Sequence, residues 1–287
     1  MGALLDKLRG GERWTPDEAI EFLVAFHAAR PGATSRSLAR RWGSNATTSY
    51  DLTAQRMPAG ARVALDLACG DGELSLAVAR RLGDQGEIIG IDVCATDLEL
   101  ARPRLEGFCA RLLCERAEQL SLATASVDVA FCHFALMLMS PLTPVVIEVA
   151  RILVPGGLFV ACVPGGSLEG LSAPARDLVL DTIRGDLPTY PDTGLGDARV
   201  NDDQVIASLF KDSGFATVTV DKHVSEGENP PEQVLAEMRD YYWWDMIHDG
   251  SRARLERDLP ALLRASAEPS GMLRRISTLR FIEARRA

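Results

Sequence analysis

A concentrated basic face is missing from this chain of 287 residues. Its 31 Lys and Arg residues are scattered among 40 Asp and Glu, for a net charge of -9. Binding to nucleic-acid phosphates needs clustered positive charge, so no nucleic-acid partner is expected. Paired cysteines are missing too. The six cysteines (Cys69, Cys94, Cys109, Cys114, Cys132, Cys162) include no C-x-x-C, and most lie in apolar runs. They read as reduced core thiols, with no metal expected. Long hydrophobic runs are also lacking. The longest, FCHFALMLM over 131–139, is far short of the ~20 apolar residues that span a bilayer. MGALLDKLRG at the start has no signal-peptide core, and Asp6 stands where a myristoylation pattern needs Ser or Thr. These absences predict a soluble, cytoplasmic protein without a membrane partner.

What is present has the composition of a globular protein, 47% hydrophobic and 25% charged. Residues 1–56 read as a helical cap apart from the rest. Thr15-Pro16-Asp17-Glu18 is a capping box with Pro at the first helical position. Ile20, Leu23, Val24 and His27 then recur at helical spacing, until Pro31-Gly32 stops the helix. SRSLARRW predicts a shorter helix, and SNATTSYDL leads onward.

From residue 61 strands and helices alternate. ARVALDLACG, GEIIGIDV, ARLLCERAEQL, SVDVAFCHFA and LFVACVPGG supply strands, with helices between most of them. Such alternation predicts an α/β fold with a mostly parallel sheet. The stretch 164–200 breaks the rhythm with Gly, Pro and Asp, as lids and binding loops do. ATVTVDKHV and RRISTLRFIEARR predict two more strands, separated by a helix from Pro231 to about His248. His248 would then sit against that helix's terminal carbonyls. Lid or cap segments are expected at about 164–200 and 229–250.

The stretch VALDLACGDG, 63–72, is a strand running into a glycine turn and a helix. Open α/β sheets bind ligands at such carboxyl ends. No Lys follows the glycines as a phosphate loop requires, and Ser75 replaces the third glycine of a dinucleotide fingerprint. Asp66, Asp71 and Glu73 also crowd the turn with negative charge, which disfavours a pyrophosphate. A nucleoside bearing a cation and no phosphate suits it better, and S-adenosylmethionine (SAM) is such a ligand. Asp92 ends the next strand, about twenty residues on, where a carboxylate can accept both ribose hydroxyls.

VALDLACGDG, GIDV, the ERAEQL loop and EVARILVPGGLF together resemble the motifs of class I (Rossmann-like) SAM-dependent methyltransferases of small-molecule type, over roughly residues 49–163. The resemblance implies a seven-stranded, mostly parallel sheet with the last strand antiparallel, plus N-terminal helices and helical cap insertions. Residues 57–287 would form the SAM-binding Rossmann-like catalytic domain. Ala68, Gly70 and Gly72 would surround the methionine part of SAM, with Asp66 supporting the turn. Asp92 would hold the ribose, Val93 would pack on the adenine, and Ala117 and Glu118 would border its edge. Arg116 departs from the pattern, because relatives often carry an acid there. Tyr50 resembles a residue that closes over the methionyl group in related enzymes; it could equally be packed between helices and core.

Methyl transfer from a sulfonium asks the protein mainly to position and desolvate an acceptor, and sometimes to deprotonate it. His133, at the end of the fourth strand, and Tyr50 are the catalytic candidates. His133 could take a proton near neutral pH, cap the strand or bond the cofactor. Met137 and Met139 read as core filler. The run YYWW, 241–244, spans every face of a helix, so some of its rings should meet a pocket, a sulfonium or a second copy of the chain. The expected function is methylation of a small molecule in secondary metabolism. Two other readings remain open: cyclisation of SAM to azetidine-2-carboxylate and methylthioadenosine, and non-catalytic SAM binding for regulation.

Overall fold

The computed structural model describes residues 1–42, 48–166, 168 and 171–287. Residues 44–47, within the expected SNATTSYDL connection, and residues 167, 169 and 170 of the expected lid lie outside them. Four helices come first: α1 (Gly2–Arg9), α2 (Pro16–Ala29), α3 (Ala33–Trp42) and α4 (Ser49–Ala54). The capping box at the start of α2 forms as expected. The Thr15 side chain accepts from Glu18 N–H, and Glu18 Oε2 accepts from Thr15 N–H at 2.7 Å.

Alternation then follows: β1 (Val63–Leu67), α5 (Glu73–Leu82), β2 (Glu87–Asp92), α6 (Ala95–Arg104), β3 (Ala110–Cys114), β4 (Val127–His133), α7 (Leu142–Ile152) and β5 (Leu153–Pro164). After α8 (Ala173–Asp186) and α9 (Asp203–Asp212) comes β6 (Phe215–Asn229). Three helices, α10 (Pro231–Met238), α11 (Tyr242–Met246) and α12 (Asp249–Ala265), precede β7 (Leu273–Arg286). The seven strands form one sheet in the order β3-β2-β1-β4-β5-β7-β6. β7 runs antiparallel to both its neighbours, and the pairings among β1–β5 are all parallel.

The central strands are covered on both faces, which is why they read as nearly unbroken apolar runs. Leu65, Leu67, Ile89 and Ile91 pack on one side with α7 and α9 residues. Ala64, Ile88, Val129 and Phe131 pack on the other with α5, and Ala54 and Tyr50 of α4 join them. A separate apolar cluster unites α1, α2, α8, α10, α11 and α12 around Phe22, Phe26, Ile183, Trp243 and Leu259. The cap over the sheet is thus built from three distant stretches of chain.

The single helix expected over 231–248 is divided. Tyr241 adopts an extended conformation before α11, and Ile247 and His248 do so after it. The break lets Trp243 and Trp244 both turn into the cap cluster, which an unbroken helix could not do with every ring of YYWW. His248 therefore precedes the N-terminus of α12 instead of ending a helix, and its N–H donates to Asp186 at 2.7 Å. The helix α12 itself was not anticipated.

The stretch linking α8 to α9 passes close beneath the cap. Trp14 N–H donates to Thr193 C=O at 2.9 Å. Gly196, at φ +82°, presses so near the 136–138 turn that a Cβ would lie 1.9 Å from Met137 O. Gly196→Ala should therefore cost about 2–4 kcal/mol, from left-handed strain plus overpacking. Urea unfolding of the variant checks this; an unchanged midpoint would show the turn yields freely.

Candidate functional site

The sheet order reverses between β1 and β4, since the chain goes outward through β2 and β3 and then returns. Their carboxyl ends part there and leave a crevice. The turn after β1 shapes its floor. Ala68 (φ +58°), Gly70 (φ +53°) and Gly72 (φ +83°) are all left-handed, so the chain doubles back tightly before α5. Cys69 N–H donates to Ile91 C=O at 2.9 Å, which ties the turn to β2.

Asp92 completes the tie. Its Oδ2 accepts from Gly70 N–H and its Oδ1 from Cys94 N–H, both at 2.8 Å. Burial nevertheless raises its pKa, against the opposing pull of those two bonds. Each oxygen keeps a lone pair for a further donor. Open space surrounds Gly70 where a Cβ would stand, so the backbone is bare toward the crevice. Gly72 does something else. A Cβ there would sit 2.8 Å from Ala101 Cβ and 3.1 Å from Ala101 Cα, so it lets α5 approach α6. It does not line the cavity, unlike the other expected site residues.

Behind the turn Asp66 is 1% exposed. Ser75 Oγ donates to its Oδ2 at 2.6 Å, whereas Oδ1 is buried with no hydrogen-bond partner. Burial pushes its pKa up to about 7, with the Asp92 and Asp71 charges adding to the rise and Ser75 opposing it. Asp71 is better compensated, by Ser35 Oγ and by Arg104 at 3.0 Å.

His133 Nε2 lies 3.1 Å from Ser49 Oγ, and its ring is stacked on Phe134 and faces Tyr50, with centroids 4.7 and 4.4 Å away. Burial holds its pKa down to about 3. An imidazole so reluctant to charge is a poor proton acceptor near neutrality. Burial, helped by Asp71 and Asp66, raises the Tyr50 pKa well above the phenol range. Its hydroxyl therefore stays protonated. Both candidates are neutral walls of the cavity.

The far end of the cavity is bordered by Val93, Ala117 and Glu118. Arg116, the departure noted in the sequence, pairs with Glu118 and with Asp17 of α2, both at 2.6 Å. The pair with Asp17 joins α2 to the loop after β3. Leu138, Met139 and Val145, and Ile20 and Leu23 of α2, give the cavity apolar lining. Met137 and Met139 both pack on the sheet core, and Met139 also faces the cavity.

Of the YYWW run expected to reach a pocket, Tyr242 lines the cavity, together with two features that sequence reading missed, Asp97 and the polar role of His27. The sequence shows His27 only as one member of an apolar stripe and marks Asp97 in no way. No cluster of His, Cys, Asp and Glu fit to hold a metal occurs among the described residues.

Residues 64–157 match the family model of a methyltransferase domain. The demethylmenaquinone methyltransferase of Bacillus licheniformis is 34% identical over 110 residues, 37% of this chain and 47% of that protein. Its counterpart in Desulfitobacterium hafniense is 30% identical over 163 residues, 50% of this chain and 64% of that protein. The matches thus span less than two thirds of either relative. Among solved structures, the YcgJ protein of Bacillus subtilis shares the fold with a TM-score of 0.53 at 17% identity, covering 83% of this chain and 97% of that one. Haemonchus contortus phosphoethanolamine N-methyltransferase 2, solved with S-adenosyl-L-methionine, also has a TM-score of 0.53, at 16% identity, covering 91% of this chain and 59% of that one.

The Asp66 carboxyl yields a pH test. Its pKa is raised on folding, so the native state holds a proton that the unfolded chain gives up at lower pH. Stability from this group is full below the unfolded value near 4 and is lost as pH rises toward 7. Relative to Asp66→Asn, the wild type should lose about 2–4 kcal/mol between pH 4 and 7.5. Urea melts of both proteins across that range check it; parallel curves would mean Asp66 ionises freely.

Proposed function

Since the chain carries a class I, Rossmann-like SAM-dependent methyltransferase domain, we propose that it methylates a small, largely apolar acceptor in secondary metabolism. The observation that carries this reading is Asp92, poised on Gly70 and Cys94 N–H groups at the edge of an enclosed cavity.

The residues present fit the cofactor. Asp92 keeps acceptor capacity for the two ribose hydroxyls. The orphaned Asp66 Oδ1 favours a cationic neighbour, and the bare Gly70 backbone admits the methionyl chain. Val93 and Ala117 offer apolar surface for a base, beside Glu118. When bound, SAM supplies an activated methyl group on a sulfonium, open to in-line displacement.

The protein's own contribution is enclosure and alignment. Ile20, Leu23, Leu138, Met139 and Val145 line the cavity with apolar surface and exclude water from the acceptor. Those walls suit a flat or aliphatic molecule, as do the quinone names of the relatives matched over the core. His133 and Tyr50, both uncharged, shape the pocket and leave proton removal to another group.

Two measurements test the reading. Incubation with SAM and hydroquinone or phenol acceptors should yield S-adenosylhomocysteine only when an acceptor is present. Methylthioadenosine formed from SAM alone, faster than its spontaneous breakdown, would overturn methylation in favour of cyclisation. Asp92→Ala should weaken S-adenosylhomocysteine binding by about tenfold or more, through lost charge-assisted bonds and a loosened turn. Unchanged calorimetric affinity would remove Asp92 from the site.

A further inference from the structure

Three polar side chains meet in the cavity and have no part in cofactor binding as described. His27 comes from α2, Asp97 from α6 and Tyr242 from α11. His27 Nε2 lies 3.0 Å from the Tyr242 hydroxyl. Its Nδ1 lies 2.9 Å from Asp97 Oδ2, in a contact bent away from a linear hydrogen bond. Nδ1 is buried and forms no well-aligned hydrogen bond among the described residues, so Asp97 is the charged group nearest to hand for it.

Asp97 is 2% exposed, and its other oxygen accepts from Gly32 N–H at 3.0 Å. A carboxylate held this way can only accept, so the ring hydrogen belongs on Nδ1. Nε2 is then free to accept from Tyr242 O–H. The order carboxylate, imidazole, hydroxyl is the arrangement by which a base is oriented and its charged form stabilised. The charged groups around His27 are Asp92 at the end of β2, Asp97 on α6, and the Arg30–Asp245 pair joining α2 to α11 at 2.6 Å.

We propose that His27, oriented by Asp97 and reached through Tyr242, accepts the proton released by the methyl acceptor; this rests on the methyl-transfer reading above. The acceptor's O–H or N–H bond breaks, and its proton passes to the Tyr242 oxygen. The proton of Tyr242 moves in the same step to His27 Nε2. The electron pair stays on the acceptor for attack, and the imidazolium is balanced by Asp97 until it releases its proton to water. Asp97 is a positioning residue, because it acts through His27. The relay answers what His133 leaves open, since that ring is buried without a carboxylate beside it.

The test starts without cofactor. In the full chain labelled with ¹⁵N-histidine, ring resonances of His27 should show hydrogen on Nδ1 and none on Nε2, and Asp97→Asn should destroy that preference. A ring carrying its hydrogen on Nε2 would overturn the relay. Transfer from SAM to 1,4-dihydroxynaphthalene supplies the second readout. His27→Gln and Tyr242→Phe should lower kcat by about a hundredfold, with KM for SAM held within about twofold. Tyr242→Phe keeps the ring and removes only the oxygen, so its fold should survive. An active wild type with unaffected variants, or variants changed only in KM, would sink the relay alone. A wild type that forms no S-adenosylhomocysteine with any acceptor would sink the methyltransferase reading and the relay with it.

Discussion

The carboxylate of Asp92 is what the rest of the site depends on. It stands at the end of β2 and receives one N–H from the turn after β1 and one from the start of the next connection. Two loops that leave adjacent strands are thereby held in one geometry. Burial makes the charge costly, and the paired N–H groups offset much of that cost. Five further carboxyl groups line the same cavity, among them those at positions 66, 71 and 97 deep within it. Such a concentration of acid is tolerable because these three are treated differently: Asp66 by a raised pKa, Asp71 by Arg104, Asp97 by Gly32 and His27.

The cap works on a different principle. It has no sheet and rests on apolar packing among helices drawn from residues 2–29, 173–186 and 231–265. The cap meets the sheet through apolar packing, with Leu273 of β7 entering its cluster, and through polar contacts that include Arg275 with Glu237, Arg116 with Asp17, His27 and Gly32 with Asp97, and Ser35 with Asp71. Exposed ion pairs such as Arg116–Asp17 contribute little individually. The cap is therefore an internally cohesive body, and its polar contacts at Asp97 and Asp71 reach into the cavity.

Legibility in the sequence followed the range of the forces involved. The strands of VALDL, EIIGID and VDVAFCH could be read because burial on both faces writes an apolar run into the chain. Asp66, Gly70 and Asp92 stand out in the sequence because a tight turn and a strand end impose local demands. The closeness of Gly72 to Ala101 left no such mark, because Ala101 is distant in sequence. The convergence of His27, Asp97 and Tyr242 left no local mark; it arises only when α2 and α11 fold together. The break before α11 escaped for the same reason, because packing of Trp243 and Trp244 overrides helix propensity there.

The composite cap also orders events during synthesis. The wall supplied by α2 is made well before Trp243, Trp244 and Leu259, which pack in the same apolar cluster. Until they arrive, Phe22 and Phe26 have no complete core to enter. The Rossmann-like sheet lacks its β7 strand over the same interval, so β5 and β6 stay unjoined. Contacts of such long sequence separation form late and slowly. The nascent chain therefore carries an exposed aromatic helix until α11 and α12 have been made, and the cavity gains its Tyr242 wall only then.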